Sequence, residues 1–182
     1  MTLKRSVVTL ALVILVFAIL AFAPRNVTTP TSVAFAQSGS AAPHCIPVGG
    51  MIMTNLAVIG QSTTLGTSTG DLKGAVAATI LNVSPGANGT TIFSVQHHFV
   101  TETGDTIAIA PAQATATPVG PGLLAIVTYP VQITGGTGKF AGATGTFDNI
   151  GEVHLPNYPD LTGGRTVFRY SGQVCFAAPS EP

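Results

Sequence analysis

Short runs of β-branched and aromatic residues, separated by Gly, Pro, Asn or Asp, fill most of the chain after residue 50. Such runs are typical of β-strands, because branched and aromatic side chains pack well on a pleated surface. No segment carries a sustained apolar period of an amphipathic helix. The runs predict strands at 51–59, 72–83, 90–101, 106–112, 123–134, 145–155 and 165–177. The chain is therefore predicted to be all-β.

The segments between these runs carry turn residues. Residues 84–89 end in Asn-Gly, a strong hairpin signal, and residues 102–105 contain Gly-Asp. Short turns join antiparallel neighbours, so this order of strands fits either an up-and-down barrel or a sandwich. Two longer segments rich in Pro and Gly, 112–122 and 156–164, are predicted to be loops that cover the mouth of a barrel.

The first 36 residues have the composition of an export signal. Lys4 and Arg5 precede an uncharged apolar run at 7–23, and Ala-Phe-Ala at 34–36 forms a cleavage site. We predict cleavage after Ala36 and a secreted or extracytoplasmic protein. The apolar run is also close to the roughly 20 residues that span a bilayer, so an uncleaved membrane anchor is the alternative.

The predicted mature chain divides into three parts. Residues 37–47 are rich in Ser, Gly, Ala and Pro and are predicted to be a flexible leader. The barrel domain is predicted at 48–178, followed by a tail at 179–182.

Loss of the signal changes the charge balance. It leaves four basic residues, Lys73, Lys139, Arg165 and Arg169, beside all seven acidic ones. No basic run remains, so the charge pattern argues against a nucleic-acid partner.

The chain has two cysteines, Cys45 and Cys175. An oxidising compartment favours a disulfide between them, which would tie the first segment of the domain to the last. Two free thiols, or one catalytic thiol, are the alternatives.

Residues 133–147, ITGGTGKFAGATGTF, place five glycines and a lysine between two apolar runs. A Walker motif needs Ser or Thr after the lysine, where this chain has Phe140. A dinucleotide fingerprint must open a helix, and the later glycines leave no room for one. Glycine permits positive φ and close backbone approach, so a barrel corner is the better interpretation. The predicted corner consists of Gly135, Gly136, Gly138, Phe140, Gly142 and Gly145.

The segment 131–147 resembles the hallmark of the allene oxide cyclase and dirigent barrel superfamily, with strand, Gly-Gly-Thr-Gly, Phe, Gly-Ala-x-Gly and strand in that order. Residues 96–107, QHHFVTETGDTI, resemble more weakly a strand, Gly-Asp turn and strand of bacterial relatives. The resemblance implies a calycin-like, antiparallel up-and-down eight-stranded β-barrel with an apolar lumen, often trimeric in the plant members. It also implies an activity that holds a reactive lipid epoxide or phenolic radical in one conformation. No catalytic residue is transferred, because the lumen motifs of the plant members do not align with this sequence.

Strand alternation predicts which side chains face the lumen, since residues two apart share a face. In each of four strands one polar residue alternates with apolar ones, and Tyr129 in particular is placed beside Val127 and Val131. An apolar cavity with a few polar groups is the usual composition of a small-molecule site. The candidate ligand-binding residues are His97, Tyr129, Asn149 and Tyr170. The alternatives are hydrogen-bonded core residues and a lumen filled by its own side chains.

Metal and carboxylate chemistry are less well supported. His97, His98, Glu102 and His154 are residue types found in cupin metal sites. Adjacent histidines on a strand point to opposite faces unless a bulge intervenes, and the H-x-H spacing is absent, so we predict no metal and no cofactor. Asp148 and Glu152 form a possible carboxylate pair, better explained as a solvated outer face.

Three functional hypotheses follow. The first is a secreted barrel that binds a small apolar or phenolic molecule in its lumen. The second is an isomerase or cyclase that steers a reactive substrate by confinement, with His97 or Tyr129 as the polar contact. The third is a non-catalytic structural protein of the cell envelope. The resemblance adds the expectation of a homo-oligomer, a trimer by analogy with the plant members.

Overall fold

The structure is a computed structural model that describes residues 43–176. The predicted signal peptide, most of the predicted leader and the predicted tail lie outside these residues. Within 43–176 no helix has the length and apolar character needed to cross a membrane. The helical segments described are two single turns of 3-10 helix, Ala87–Gly89 and Gly138–Phe140.

Ten antiparallel β-strands form one sheet in the described part of the chain. They are β1 (His44–Leu56), β2 (Thr63–Gly70), β3 (Gly74–Pro85), β4 (Thr91–Thr101), β5 (Thr106–Ile109), β6 (Ala112–Gly120), β7 (Leu123–Ile126), β8 (Pro130–Gly136), β9 (Thr144–His154) and β10 (Arg165–Phe176).

The sheet closes into an eight-position barrel. β4 pairs with both β5 and β6, so β5 and β6 together take the place of one barrel strand. β9 pairs with both β7 and β8, so β7 and β8 likewise take the place of one strand. Closure follows because β10 pairs with β1 on one side and β9 on the other. The predicted all-β class and the eight-stranded antiparallel barrel are thus confirmed.

A disulfide joins the two strands that close the barrel. Cys45 of β1 and Cys175 of β10 are direct partners in the strand register, and their sulfur atoms are bonded at 2.04 Å. The predicted pairing is confirmed. The bond connects positions 130 residues apart and therefore crosslinks nearly the whole domain.

Two strands were not predicted. The inward side chains of β2 include Thr64 and Ser68, both buried, so the strand lacks the apolar alternation that marks its neighbours. The prediction of a loop over 112–122 is wrong, because 112–120 form β6. Its core face consists of Ala112, Ala114 and Ala116, and such small residues give a weak strand signal. Pairing with β4 and β7 makes this segment a strand.

The start of the barrel also lies earlier than the predicted boundary at 48. β1 begins at His44, inside the predicted leader, because His44 pairs with Phe176 of β10. Residues 44–47, His-Cys-Ile-Pro, form a strand here because the partner strand β10 supplies hydrogen bonds to their backbone.

The glycine-rich segment turns the chain between β8 and β9. All five of its glycines have positive φ, with Gly138 at 56° and Gly142 at 68°. A side chain on Gly138 would overlap the carboxylate of Asp105. Phe140 lies beneath the turn, only 2% exposed, with its ring 5.8 Å from that of Phe176. The glycines therefore permit a tight turn that places one large aromatic ring in the core.

Candidate functional site

The barrel contains a cavity of about 80 Å³ with predominantly apolar walls. The segment 156–164 contributes Leu161 to it, as the predicted mouth loop would. Ile80 and Phe168 also line the cavity, and with Leu161 they are only half-buried. These three side chains therefore mark its rim. None of the described lining residues is Asp, Glu, Lys or Arg.

Three of the four predicted ligand-binding residues meet in this cavity: His97, Tyr129 and Asn149. The Tyr129 hydroxyl lies 2.8 Å from Nε2 of His97. The Asn149 side chain donates from Nδ2 to the carbonyl oxygen of Tyr129 at 3.2 Å. Tyr129 is 4% exposed and Asn149 2%. The barrel thus brings β4, β9 and the segment between β7 and β8 to one polar cluster.

Tyr129 reaches the lumen by a local break in the strand. β7 ends at Ile126 and β8 begins at Pro130, and the carbonyl oxygen of Tyr129 accepts a second bond from the backbone N–H of Asn149. The break changes the alternation, so the prediction that Val127 points inward is wrong. Val127 is 70% exposed.

Two buried polar atoms of the cluster have no hydrogen-bond partner within the described protein. They are Nδ1 of His97 and Oδ1 of Asn149. More than nine in ten buried polar groups in proteins are paired, and leaving one unpaired costs about 1 to 3 kcal/mol. Both residues line the cavity, so a molecule that enters it meets unused hydrogen-bonding capacity.

The cluster is electrically neutral near pH 7. Burial, with a smaller effect from neighbouring His98, lowers the pKa of His97 to about 4. Burial also raises the pKa of Tyr129 above its usual value of 10. Neither group gains or loses a proton readily at neutral pH, so the pair offers neutral hydrogen bonds and little capacity for acid–base chemistry.

The lowered pKa of His97 predicts a loss of stability in mild acid. In the unfolded chain the His97 side chain titrates near 6.5 and in the folded chain near 4, so the unfolded state binds the proton first as the pH falls. The free energy of unfolding is therefore highest above pH 6.5 and falls as the pH is lowered towards 4. We expect His97 to account for about 2 kcal/mol of the fall in unfolding free energy between pH 7 and pH 4.5.

Urea denaturation at both pH values checks this expectation. In His97→Gln the pH dependence should shrink by that amount. In His98→Gln, which removes only the smaller of the two causes of the lowered His97 pKa, most of the pH dependence should remain. Equal pH dependence in the wild-type protein and His97→Gln would contradict it.

Tyr170, the fourth predicted ligand-binding residue, does not line the cavity. Its hydroxyl donates to the carbonyl oxygen of Thr69 and accepts from the backbone N–H of Leu72, at 2.8 and 2.9 Å. The ring passes close to Gly50, where a Cβ would lie 2.6 Å from the hydroxyl oxygen. The side chain faces inward, as alternation predicts, but it ties the turn between β2 and β3 to the barrel wall.

Sequence reasoning missed a second polar group in the cavity, formed by Thr54, Thr64 and Thr166. The hydroxyls of Thr54 and Thr166 lie 2.8 Å apart, and these residues are direct register partners in β1 and β10. Thr166 alternates with Phe168 and Tyr170, so the same alternation signal was present for it. Thr64 lies in β2, which was not predicted as a strand.

The other residues considered for chemistry lie apart from this cluster. His98, Glu102, Asp148 and Glu152 are exposed, and His154 is half-buried. Across residues 43–176 no three His, Cys, Asp or Glu side chains are grouped closely enough to hold a metal ion.

No protein family model and no curated protein matches the sequence. Among solved structures, the chain is similar to the pterocarpan synthase dirigent protein GePTS1, with a TM-score of 0.32, 15% identity, and coverage of 83% of this chain and 99% of that chain. It is similar also to the pterocarpan synthase dirigent protein PsPTS1, with a TM-score of 0.28, 14% identity, and coverage of 76% and 98%.

Proposed function

We propose that this protein is exported and that its barrel binds a small, uncharged, largely apolar molecule bearing a hydroxyl group. The observation that carries the proposal is the unpaired Oδ1 of Asn149, in a residue 2% exposed that lines an apolar cavity. Unpaired buried acceptors are uncommon in cores, where evolution leaves few of them.

The charge of the ligand follows from the lining. The described walls carry no ionised side chain near neutral pH, because His97 is neutral there. Transfer of an ionised carboxylate or ammonium group into such surroundings is very costly. The ligand, or the part of it that enters, is therefore uncharged.

The polar group of the ligand follows from the unpaired atoms. Oδ1 of Asn149 accepts a hydrogen bond only, so the ligand must donate. When the Tyr129 hydroxyl donates to Nε2 of His97, Nδ1 of His97 carries the proton and needs an acceptor. A hydroxyl is the smallest neutral group that both donates and accepts.

The size of the cavity limits how much of the ligand it encloses. A cavity of about 150 Å³ in another protein holds benzene. This cavity, at about 80 Å³, is smaller, so a ring-sized ligand places its hydroxyl end inside. The remainder contacts the half-buried rim at Ile80, Leu161 and Phe168.

Export is supported by two features of the chain. The first is the signal-like segment with its cleavage site at 34–36, which lies outside the described residues. The second is the Cys45–Cys175 disulfide, which lies within them. Disulfides persist mainly in oxidising compartments. The intact mass of the protein recovered from its producing cells tests this: a chain beginning at Gln37 is expected, and a retained N-terminal segment would favour the membrane anchor.

A pair of probes with the same shape tests the binding proposal. Phenol and toluene differ by a hydroxyl in place of a methyl group, and their affinities can be measured by NMR titration. We expect phenol to bind about two- to tenfold more tightly than toluene, the effect of roughly 0.5 to 1.5 kcal/mol from one hydrogen bond. The Asn149→Leu variant should keep toluene binding and lose the preference for phenol.

Tyr170→Phe is the matched control for this experiment. Tyr170 faces inward beside Asn149 in the strand register but lies outside the cavity, so its variant should keep the preference for phenol. The proposal fails if neither probe binds, if both bind equally, or if Asn149→Leu still prefers phenol.

The neutral cluster also limits the isomerase hypothesis. A histidine with a pKa near 4 is a weak general base at neutral pH, so steering by confinement is the form of that hypothesis compatible with His97 and Tyr129. The hypothesis of a purely structural envelope protein expects a lumen filled by its own side chains, and the cavity favours binding over it.

A further inference from the structure

The outer surface of the barrel is unusually apolar across four neighbouring strands, β7, β9, β10 and β1. We call this surface the outer apolar face. It consists of Met51, Met53, Ala125, Ile150 and Val167 on these strands, together with Val127, which directly follows β7. Met51, Met53 and Ile150 are 40 to 46% exposed. On β6 the corresponding outward positions are Gln113, Thr115 and Thr117, the polar pattern usual for a solvated sheet face.

The strand register makes this face continuous. Met51 pairs with Arg169, which in turn pairs with Ile150. In the next row Met53 pairs with Val167, and Val167 with Glu152. A surface groove of about 530 Å³ is lined by all of these residues except Met53. Contiguous exposed apolar surface of this kind marks an interaction site.

The groove contains one positive and one negative side chain, Arg169 and Glu152. They belong to adjacent strands and are offset by two residues, because Arg169 pairs with Ile150. The groove therefore carries no net charge. A highly acidic or basic partner would require an excess of one sign, and an anionic lipid surface would require basic residues.

We propose that a second copy of this chain covers the outer apolar face in a two-fold symmetric dimer. A two-fold contact uses the same patch on both subunits, so the patch must be complementary to itself. An axis lying in the interface, midway between Arg169 and Glu152, sets each Arg169 opposite Glu152 of the second copy. The apolar side chains around them then form the centre of the interface.

Charge reversal with rescue tests this arrangement. Sedimentation velocity on the secreted wild-type protein, with its disulfide intact, should show a dimer that dissociates on dilution. Arg169→Glu and Glu152→Arg should each weaken the dimer about tenfold or more, because like charges then face each other. The double variant should recover most of the wild-type affinity, since it restores both opposite-charge pairs.

Two further variants separate the interface from general effects on the protein. Ile150→Lys places a charge at the centre of the face and should give a monomer. Val100→Lys changes a similarly exposed valine on β4, outside the face, and should leave the dimer intact.

The proposal is overturned by a monomer at every concentration, or by an assembly that Ile150→Lys leaves unchanged. Failure of the double variant to recover the dimer overturns the pairing of Arg169 with Glu152. A trimer, as expected from the resemblance to the plant barrels, overturns the two-fold arrangement. None of these outcomes bears on the cavity, so the binding proposal is tested separately.

Discussion

Replacing both Cys45 and Cys175 with serine is expected to lower the free energy of unfolding by about 4 to 5 kcal/mol. The bond joins positions 130 residues apart, so its loss frees almost the whole domain to explore extended conformations when unfolded. In the folded protein the same residues remain register partners in β1 and β10, which keeps the native strands in place. The effect is thus expected mainly in the unfolded state.

Urea denaturation of the oxidised protein, the chemically reduced protein and the double serine variant measures this effect. The last two should agree, because both lack the crosslink. A difference of less than about 1 kcal/mol between oxidised and reduced protein would show that the bond contributes little beyond the existing strand pairing.

Phe140→Ala is expected to destabilise the protein by about 3 to 5 kcal/mol, the range found when a buried Phe is truncated to Ala. The ring is 2% exposed and lies at the bottom of the glycine-rich turn between β8 and β9. Neighbouring backbone cannot easily move to fill the space, because Gly136 and Gly138 already lie against Thr106 and Asp105. The removed ring would therefore leave a cavity.

Phe140→Leu serves as the graded control, since it retains most of the apolar volume and should cost less than Phe140→Ala. It also keeps the prediction testable if the alanine variant does not fold. Val119→Ala, at an exposed position of β6, should change the unfolding free energy by less than about 0.5 kcal/mol. Equal stabilities of Phe140→Ala and the wild-type protein would show that the ring does not support the corner.

Strand alternation predicted the direction of the candidate side chains correctly in regular strands, but where a strand is broken it was correct for Tyr129 and wrong for Val127. His97 and Asn149 lie within the long strands β4 and β9, so alternation correctly placed both at the cavity. Val127 and Tyr129 follow the end of β7, and there the same reasoning failed for Val127. The break is held by two hydrogen bonds from Asn149, twenty residues later, which no local pattern reveals.

Tyr170 shows a different limit. Its inward direction follows from alternation, but its partners Thr69 and Leu72 lie about a hundred residues earlier in the chain. The closed sheet brings this turn beside β10, and Gly50 leaves room for the ring. Whether the Tyr170 side chain points into the lumen is a local property of its strand. Which residues it meets there depends on the register of all the strands that connect it to Thr69 and Leu72 through the sheet.

The sequence by itself determined the all-β class, the antiparallel succession of most strands, the partner of each cysteine and the tight turn around Phe140. Each of these depends on local chemistry: a two-residue period, turn residues, glycine φ angles and the number of cysteines. The tertiary structure alone decided that the weakly patterned segments β2 and β6 are strands, that Tyr129 joins His97 and Asn149 while Tyr170 does not, and that apolar side chains from distant segments adjoin on one outer face. These features arise from hydrogen-bonded register between segments far apart in the chain, which sets which side chains become neighbours.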